Sequence, residues 1–284
     1  MKVAMLNISI GNYDIFWKDF YLTSKQNFLP NAEKHYFVFT DNNELYGVDF
    51  EDITLIYQEN LGWPFNTMKR FAMFKRIIDH LEHFDYIFFV NGNALFLEEL
   101  NENFINPDKN LITIVHPGLY GRTIDAMPYE RNVESKAYIP KGEGKYYVQG
   151  AFIGGKSKPF ISMIEKLDED TTIDLNNGIV AVWHDESFLN RYILGRTDVQ
   201  IMGRQYLYYQ EYVFPWKPVI LLRNKRNYGN LAAFRGENSK KDIKIIVKLK
   251  LKRIKDRMLI KLKIHSLLEN IKKDGTYVDI DLNR

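Results

Sequence analysis

The chain has 284 residues and a formal net charge of +3, with 45% hydrophobic and 26% charged side chains. These values are typical of a globular protein with one large domain or two small ones. Because the chain contains no cysteine, disulfides, thiolate metal sites and a cysteine nucleophile are excluded.

The first third of the chain alternates predicted strands and helices. Strands are expected over Lys2–Ile8, His35–Thr40, Ile53–Tyr57 and Tyr86–Val90, with helices from about Asp14 to Phe28 and from Thr67 to His80. The run from residue 86 to 90 is continuously apolar, which is typical of a strand buried on both faces. This alternation predicts βαβ units and a parallel sheet.

Two further strands are predicted over Leu111–Val115 and Tyr146–Ile153. The glycine- and proline-rich segment 118–144 between them is longer than most loops in compact domains, which favours a functional role. Helices are expected over Lys158–Leu167 and Ser187–Leu194. Beyond Gly236 the chain becomes rich in lysine, and we therefore predict a globular domain over residues 1–236 and a separate tail over 237–284.

Asn91-Gly92-Asn93 follows directly after the apolar strand at 86–90. Ligands of open α/β sheets bind at the carboxyl ends of strands, and this would place the two amides at a binding crevice. Asn-Gly is also the commonest turn dipeptide, so the residues alone favour a plain turn.

Trp183-His184-Asp185-Glu186-Ser187 brings an indole, an imidazole and two carboxylates to the start of a predicted helix. Acidic residues at this position can simply cap the helix and interact with its dipole. Carboxylates that accept bonds from sugar hydroxyls, beside an indole that covers a sugar face, are equally consistent with the pattern. Both interpretations stay open on the residues alone.

A histidine and a basic cluster are two further candidates for a binding or catalytic role. His116 begins a His-Pro-Gly sequence at a strand end, where a single histidine is more often structural than catalytic. Arg223, Lys225 and Arg226 follow an aromatic run and could bind phosphate, although a solvated loop is the commoner outcome. The chain lacks the zinc, dinucleotide, P-loop and serine-hydrolase motifs HExxH, GxGxxG, GxxxxGK[ST] and GxSxG.

Several segments, taken in order, resemble glycosyltransferase family 6, which includes the histo-blood-group A and B transferases and the α-1,3-galactosyltransferase. The longest are Tyr-Tyr-Val-Gln-Gly-Ala-Phe-Ile-Gly-Gly at 146–155 and Asn-Gly-Ile-Val-Ala-Val-Trp-His-Asp-Glu-Ser-Phe-Leu-Asn at 177–190. Shorter ones are Phe-Thr-Asp at 39–41, His-Pro-Gly-Leu-Tyr-Gly at 116–121, Tyr-Glu-Arg at 129–131 and Ala-Tyr-Ile-Pro at 137–140. The resemblance covers roughly Lys2 to Phe234 and leaves the tail uncovered.

The resemblance implies a GT-A fold, which is a Rossmann-like mixed sheet flanked by helices. It also implies retaining transfer of galactose or N-acetylgalactosamine (GalNAc) from a UDP-sugar, in α-1,3 linkage, to a galactoside. Asn91 and Asn93 occupy the place of the family's Asp-x-Asp, whose carboxylates hold Mn²⁺ at the UDP diphosphate. Neutral amides are poor ligands for a hard dication, so we expect a bacterial-type enzyme that needs no metal and no other cofactor.

The resemblance also assigns residues to the donor site. Arg70, Lys225 and Arg226 match positions that could stabilise the diphosphate charge, and Asp185 is expected to bind hydroxyls of the donor sugar. Ala151 leaves room for either donor sugar, with a slight preference for GalNAc. The whole predicted donor site consists of Ile8, Ile10, Tyr13, Arg70, Asn91, Asn93, Gln149, Gly150, Ala151, Asp185, Lys225 and Arg226.

Glu186 matches the family's proposed nucleophile and is the predicted catalytic residue. It could form a covalent glycosyl intermediate, or stabilise an oxocarbenium-like state while it positions the acceptor. His116, Trp183 and Glu186 are the predicted acceptor-binding residues. Tyr209 stands near an acidic acceptor-site position of the blood-group enzymes, so whether the galactoside carries fucose stays open. A sugar-binding relative without catalysis is the alternative.

The tail combines apolar residues with eleven Lys/Arg and two Asp between residues 240 and 263. This pattern resembles an interfacial amphipathic helix attracted to anionic lipid, although a solvated or oligomer-packing helix remains the alternative. The segment 1–7 is too short for a signal peptide, and no run has transmembrane length. We therefore expect a cytoplasmic protein with peripheral contact at the inner face of the membrane. The acidic body and the lack of a nucleic-acid motif argue against nucleic-acid binding.

Overall fold

The computed structural model describes residues 1–119, 121–229 and 234, and the predicted tail at 237–284 lies outside these residues. The strands of the described part are β1 (Lys2–Ile8), β2 (Glu33–Thr40), β3 (Ile53–Tyr57), β4 (Tyr86–Val90), β5 (Ala94–Phe96), β6 (Leu111–Val115), β7 (Val148–Lys156), β8 (Val199–Met202), β9 (Tyr208–Tyr209) and β10 (Ile220–Leu222). Its α-helices are α1 (Trp17–Asn27), α2 (Phe65–Met68), α3 (Arg70–Lys75), α4 (Ile78–Leu81), α5 (Ser157–Asn176) and α6 (Asp185–Ile193). Short 3₁₀ helices lie at Gly11–Phe16, Glu102–Phe104, Pro117–Leu119, Ile124–Ala126, Arg204–Tyr206 and Lys225–Tyr228.

Seven strands form one sheet in the order β3-β2-β1-β4-β7-β6-β8. Neighbouring strands are parallel, except that β7 runs antiparallel to both β4 and β6. The parallel pairing predicted for the strands of the first third, β1 to β4, is confirmed. β7 lies outside that prediction and runs antiparallel, because the chain enters it from a long loop instead of the crossover helix that parallel neighbours need. The mixed sheet flanked by helices agrees with the GT-A fold that the resemblance implies.

Strand β4 is buried on both faces, as its apolar run predicts. Ile87 and Phe89 pack into a core cluster with residues of α3, α5 and α6. Phe88 and Val90 point to the other face and pack with residues of α1. Burial on both sides fixes the register of this strand, since a slip by one residue would exchange the two faces. The end of β4, and with it Asn91, is thereby held at a defined place.

Two helices differ most from their predicted bounds, while α1 begins three residues later than predicted and α6 two residues earlier. The helix expected from Thr67 to His80 is divided into α2, α3 and α4, and Arg70 begins the middle piece. The helix expected over Lys158–Leu167 continues to Asn176 as α5. In its last turns Asp170, Thr171 and Asp174 are buried and continue the buried face of Leu167. Because these residues are polar, the sequence shows no apolar pattern there.

A second, three-stranded sheet in the order β5-β10-β9 was not predicted. Leu222 at the end of β10 pairs with Ala94 at the start of β5. The segment after β10, which carries Arg223 and Lys225, therefore begins beside Asn93. Among the helices of the described residues, none is both long and apolar enough to cross a membrane.

Candidate active site

A cavity of about 280 Å³ opens at the carboxyl ends of β1 and β4. Its wall brings together most of the predicted donor-site residues, with Trp183 from the predicted acceptor site: Ile8, Ile10, Tyr13, Arg70, Asn91, Gln149, Gly150, Ala151, Trp183, Asp185, Glu186 and Lys225. A ligand at this edge of the sheet is the arrangement expected for open α/β sheets.

A second cavity of about 500 Å³ shares Asn91, Gln149 and Lys225 with the first. Its wall contains the remaining predicted donor-site residues, Asn93 and Arg226, with Tyr209, Glu211 and Tyr212 among the others. The two cavities are therefore neighbours. In the described part of the chain, His116 lines neither of them and instead contacts Tyr209.

Glu186 and Asp185 are held by one short network across the floor of the first cavity. The Gly150 N–H donates to Glu186 Oε2 at 2.9 Å, and Arg70 Nη1 donates to Gly150 O at 2.5 Å. The same Arg70 nitrogen lies 2.7 Å from Asp185 Oδ2 in a buried ion pair. A Cβ on Gly150 would lie 3.1 Å from that carboxylate oxygen, so a glycine is needed for this close approach.

Asp185 is buried and Glu186 is half-buried, and burial raises the pKa values of both carboxyl groups because it disfavours the charged form. The pKa of Glu186 is raised to about 7, although the Gly150 N–H bond lowers it. The pKa of Asp185 is raised to about 6 against the opposing effect of the Arg70 charge. Glu186 is thus poised to change charge near neutral pH, a property common in catalytic carboxyl groups.

The backbone turns sharply just before the two acids. His184 adopts φ +56°, a left-handed conformation that is uncommon outside glycine and costs energy. The preceding loop is tied down by the buried Glu130, whose Oε2 accepts from Val182 N at 2.6 Å. The two acids then enter the first turn of α6, without a side-chain hydrogen bond from the residue that caps it, and both also line the first cavity.

Asn91-Gly92-Asn93 is a turn, since Ala94 N donates to Asn91 O at 2.9 Å, and it also lines the cavities. The Asn93 side chain is buried, and its Nδ2 donates to Arg223 O at 2.7 Å. In return Arg223 N donates to Asn93 O at 3.0 Å. Asn93 therefore acts as a clamp between the β4–β5 turn and the segment after β10.

The residues at this turn do not fit a divalent cation. The Asn93 amide is oriented by its bond to Arg223, and its Oδ1 is a neutral oxygen without a hydrogen-bond partner among the described residues. Lys225 lines both cavities with Asn91, and its positive charge would oppose a cation there. Groups of three or more His, Cys, Asp or Glu able to hold a metal are absent from residues 1–119, 121–229 and 234.

The basic cluster is divided between two roles. Arg223 is buried and structural, because its guanidinium donates to Asp19 Oδ2 at 2.7 Å and to Phe16 O at 3.1 Å. Lys225 Nζ lies 4.9 Å from the Tyr13 ring centroid at the wall of the first cavity. Lys225 and Arg226 thus remain the members of the cluster that can meet an anion.

His116 lies in a hydrogen-bonded group with Tyr209 and Gln149. Gln149 Nε2 donates to the Tyr209 hydroxyl, which lies 3.2 Å from His116 Nε2. Burial lowers the pKa of His116 to about 4, so the imidazole is neutral at physiological pH. The predicted acceptor residue His116 and the predicted donor residue Gln149 are therefore connected through one tyrosine.

Several residues of the first cavity were not predicted, and they share no motif that the sequence could have displayed: Trp63, Asn66, Thr67, Phe89, Gly92, His184 and Phe234. Trp63 packs edge-on against His184, with ring centroids 5.3 Å apart. His184 had a signal, since it sits within the Trp-His-Asp-Glu sequence. Glu130 had no such signal, because nothing in the Tyr-Glu-Arg sequence indicates that the glutamate is buried.

A family model described as glycosyltransferase family 6 matches residues 1–231. The O-antigen biosynthesis glycosyltransferase WbnI of Escherichia coli is 32% identical over 235 residues, which are 81% of this chain and 99% of that protein. The histo-blood group ABO system transferase 1 of Rattus norvegicus is 28% identical over 74% of this chain and 61% of its own length. Globoside alpha-1,3-N-acetylgalactosaminyltransferase 1 of Gallus gallus is 25% identical over 73% of this chain and 62% of its own length. The chain therefore spans less than two thirds of these two animal relatives.

Proposed function

The chain belongs to glycosyltransferase family 6 and is a hexosyltransferase, and from this premise we propose a specific reaction for it. The protein transfers GalNAc or galactose from a UDP-sugar to a galactoside, in α-1,3 linkage and with retention at the anomeric carbon. One observation carries the proposal: Asp185, which is buried, and Glu186, which is half-buried, lie together at the wall of a cavity that also contains the predicted donor-site residues Ile8, Ile10 and Tyr13.

Glu186 supplies the negative charge at the reacting carbon in this proposal. Its carboxylate is oriented by the Gly150 N–H, so little reorganisation is needed when positive charge develops on the donor sugar. Asp185 is held by Arg70 and accepts bonds from donor-sugar hydroxyls. A sugar-binding protein without catalysis has no need for a second carboxylate beside the first, which makes the non-catalytic alternative the weaker one.

A panel of donors and acceptors tests the function. UDP-GalNAc and UDP-galactose are each combined with lactose and with 2′-fucosyllactose, and release of UDP and the linkage of the product are measured. We expect an α-1,3-linked trisaccharide or tetrasaccharide from at least one combination. Binding of UDP or sugar without any transfer would favour the non-catalytic alternative, and a β-linked product would contradict retention.

We further propose that the reaction needs no metal ion. Asn91 and Asn93 occupy the position of the family's metal ligands, are neutral, and lie beside the positive charge of Lys225, which supports this proposal. Lys225 and Arg226 then stabilise the charge of the departing UDP diphosphate, since positive charge placed where negative charge develops lowers the barrier of such a step. Asn91 donates its amide hydrogens to the same phosphate oxygens.

Chelation is therefore expected to leave activity unchanged. Initial rates of transfer are measured after dialysis against EDTA, in the presence of excess EDTA, and after addition of Mn²⁺. Equal rates in the three conditions are the expected result, because the turn at 91–93 carries two asparagines in place of the carboxylate pair that would couple a cation to the diphosphate. Complete loss in EDTA that Mn²⁺ restores would contradict the proposal.

Activity is expected to rise with pH through about 7. Glu186 must be ionised to act, and its pKa of about 7 means that the protonated, inactive form predominates in more acidic solution. Protonation of Asp185 near pH 6 causes a second loss of activity, so activity should fall more steeply as the pH drops through 6. The check is kcat/KM for the donor between pH 5 and pH 9 at constant ionic strength, and a flat profile below pH 7 would contradict the role of Glu186.

Peripheral membrane contact through the tail at 237–284 is a further part of the proposal and rests on its sequence alone. Each lysine near an anionic surface contributes about 1 kcal/mol to binding. The full chain with Lys248→Gln, Lys250→Gln and Lys252→Gln should therefore bind vesicles of anionic lipid about a hundredfold more weakly than the wild type. Co-sedimentation measures this, and equal binding by both proteins would contradict membrane contact.

A further inference from the structure

Asn190 is a buried polar side chain on α6 that lines neither described cavity. Its amide connects the helix to the start of β7. Oδ1 accepts from Val148 N at 2.9 Å, and Nδ2 donates to Val148 O at 2.9 Å and to Glu186 O at 2.8 Å. Three hydrogen bonds from one side chain to the backbone thus join β7 to the helix that carries Glu186.

The partners of the Asn190 amide permit only one of its two orientations. The Val148 N–H can only donate, whereas the carbonyl oxygens of Val148 and Glu186 can only accept. A reversed amide would place its oxygen against two carbonyl oxygens and its hydrogens against the Val148 N–H. The amide therefore uses its acceptor and both of its donors in the orientation that the structure shows.

The spacing of this connection matches a second contact between the same two elements. Glu186 lies four residues before Asn190, which corresponds to about 6 Å along one face of an α-helix. Gly150 lies two residues after Val148, which corresponds to about 6.6 Å along a strand. A bond between the first pair of residues therefore brings the second pair together. The Gly150 N–H donates to Glu186 Oε2 at 2.9 Å, as this register requires.

We propose that Asn190 is a positioning residue that fixes the Glu186 carboxylate against the Gly150 N–H, and so at the reacting carbon of the donor sugar. The inference rests on the proposed function, in which Glu186 supplies the charge at that carbon. The buried apolar residues of α6, Phe188 and Leu189, also hold the helix on the core. Apolar contacts are not directional, so the register of α6 on β7 is set by the Asn190 amide.

Asn190→Ala removes the three bonds and leaves room for water at the freed backbone groups. The kcat at pH 7 should fall by about 10- to 100-fold, since a displacement of about 1 Å at a reacting group has effects of this size. KM for the UDP-sugar should change by less than about threefold, because the nucleotide site is unaltered. The acid limb of the kcat/KM profile should move up by about one pH unit, because the Gly150 N–H bond that lowers the pKa of Glu186 is weakened.

Asn190→Leu is the second variant, because it removes the same bonds but fills the volume and keeps water out. It should move the acid limb in the same direction. Entry of water in Asn190→Ala would lower the pKa of Glu186, so it would not produce an upward shift. The charges of Asp185 and Arg70 and the Tyr147 hydroxyl also act on the pKa of Glu186, and all three groups are kept in both variants.

Leu167→Ala is the matched control for lost stability, since Leu167 is buried on α5 in the core cluster that includes residues of α6 and lines neither described cavity. It should lower the unfolding temperature and leave the acid limb in place. An unshifted acid limb in the folded Asn190 variants, the same shift in Leu167→Ala, or a rise in KM with a normal kcat would overturn the inference. Absence of transfer by the wild-type protein would instead refute the proposed function.

Discussion

Replacement of Glu186 by glutamine is expected to lower kcat by at least about 10³-fold, equivalent to about 4 kcal/mol of transition-state stabilisation. Glutamine has nearly the same shape and can still accept the Gly150 N–H bond through its amide oxygen. It carries no charge, so it can neither bond to the anomeric carbon nor stabilise positive charge there. UDP affinity, measured by calorimetry, should change little, because Glu186 acts at the sugar and not at the nucleotide.

Thermal unfolding separates this loss of chemistry from a loss of folding. The ionised carboxylate is costly in its half-buried position, as the raised pKa of Glu186 indicates. At pH 8 the neutral Glu186→Gln variant should therefore unfold at the same temperature as the wild type or higher. Glu165→Gln, on the exposed face of α5, is the control and should alter neither turnover nor unfolding. Turnover of Glu186→Gln near the wild-type value would refute the catalytic role.

Replacement of Arg70 by methionine is expected to damage both stability and turnover. The guanidinium is buried, pairs with Asp185 and lies 4.1 Å from the Phe89 ring centroid. Removing one partner of a buried ion pair leaves the other charge uncompensated, which typically costs about 3–5 kcal/mol. The pKa of Asp185 should rise further, and turnover should fall because the carboxyl group then loses its charge and its fixed position. Urea unfolding and kcat measure the two effects.

A double variant tells the ion pair apart from simple packing. Arg70→Met combined with Asp185→Leu removes both charges, and apolar replacement of a buried pair is often neutral for stability. We expect the double variant to recover most of the lost stability while turnover stays low, since Asp185 is still missing. If Arg70→Met alone is as stable as the wild type, the ion pair does not have the importance assigned to it.

The parts of the fold that were predicted are those with an apolar pattern. The run at 86–90 is apolar at every position, and the strand is buried on both faces. α5 was predicted too short because Asp174 occupies a buried position where a hydrophobic residue would be expected. Its oxygens accept from Ser135 Oγ at 2.5 Å and Lys136 N at 2.8 Å, partners that lie far away in the chain. Hydrogen bonds between a buried polar residue and such distant partners cannot be predicted from local periodicity.

The candidate site was anticipated as a set of residues but not as an arrangement. The resemblance named Arg70 and Asp185 separately, and their ion pair depends on the break between α2 and α3, which no periodicity indicated. Which strand of the mixed sheet runs antiparallel was not predicted, because an apolar run looks the same in either direction. Tyr209 was noted only as a departure from the blood-group enzymes, and its bond to Gln149 depends on contacts between distant strands.

The Asn93 clamp affects which substitutions position 93 can accept. An aspartate at position 93 would set a carboxylate against the Arg223 carbonyl, where the asparagine now donates a hydrogen bond. The substitution that brings back one carboxylate of the family's Asp-x-Asp would therefore also loosen the segment that carries Lys225 and Arg226. Restoring a carboxylate at position 93 therefore requires compensating changes in the segment after β10, so this one amide couples the end of β4 to the placement of Lys225 and Arg226.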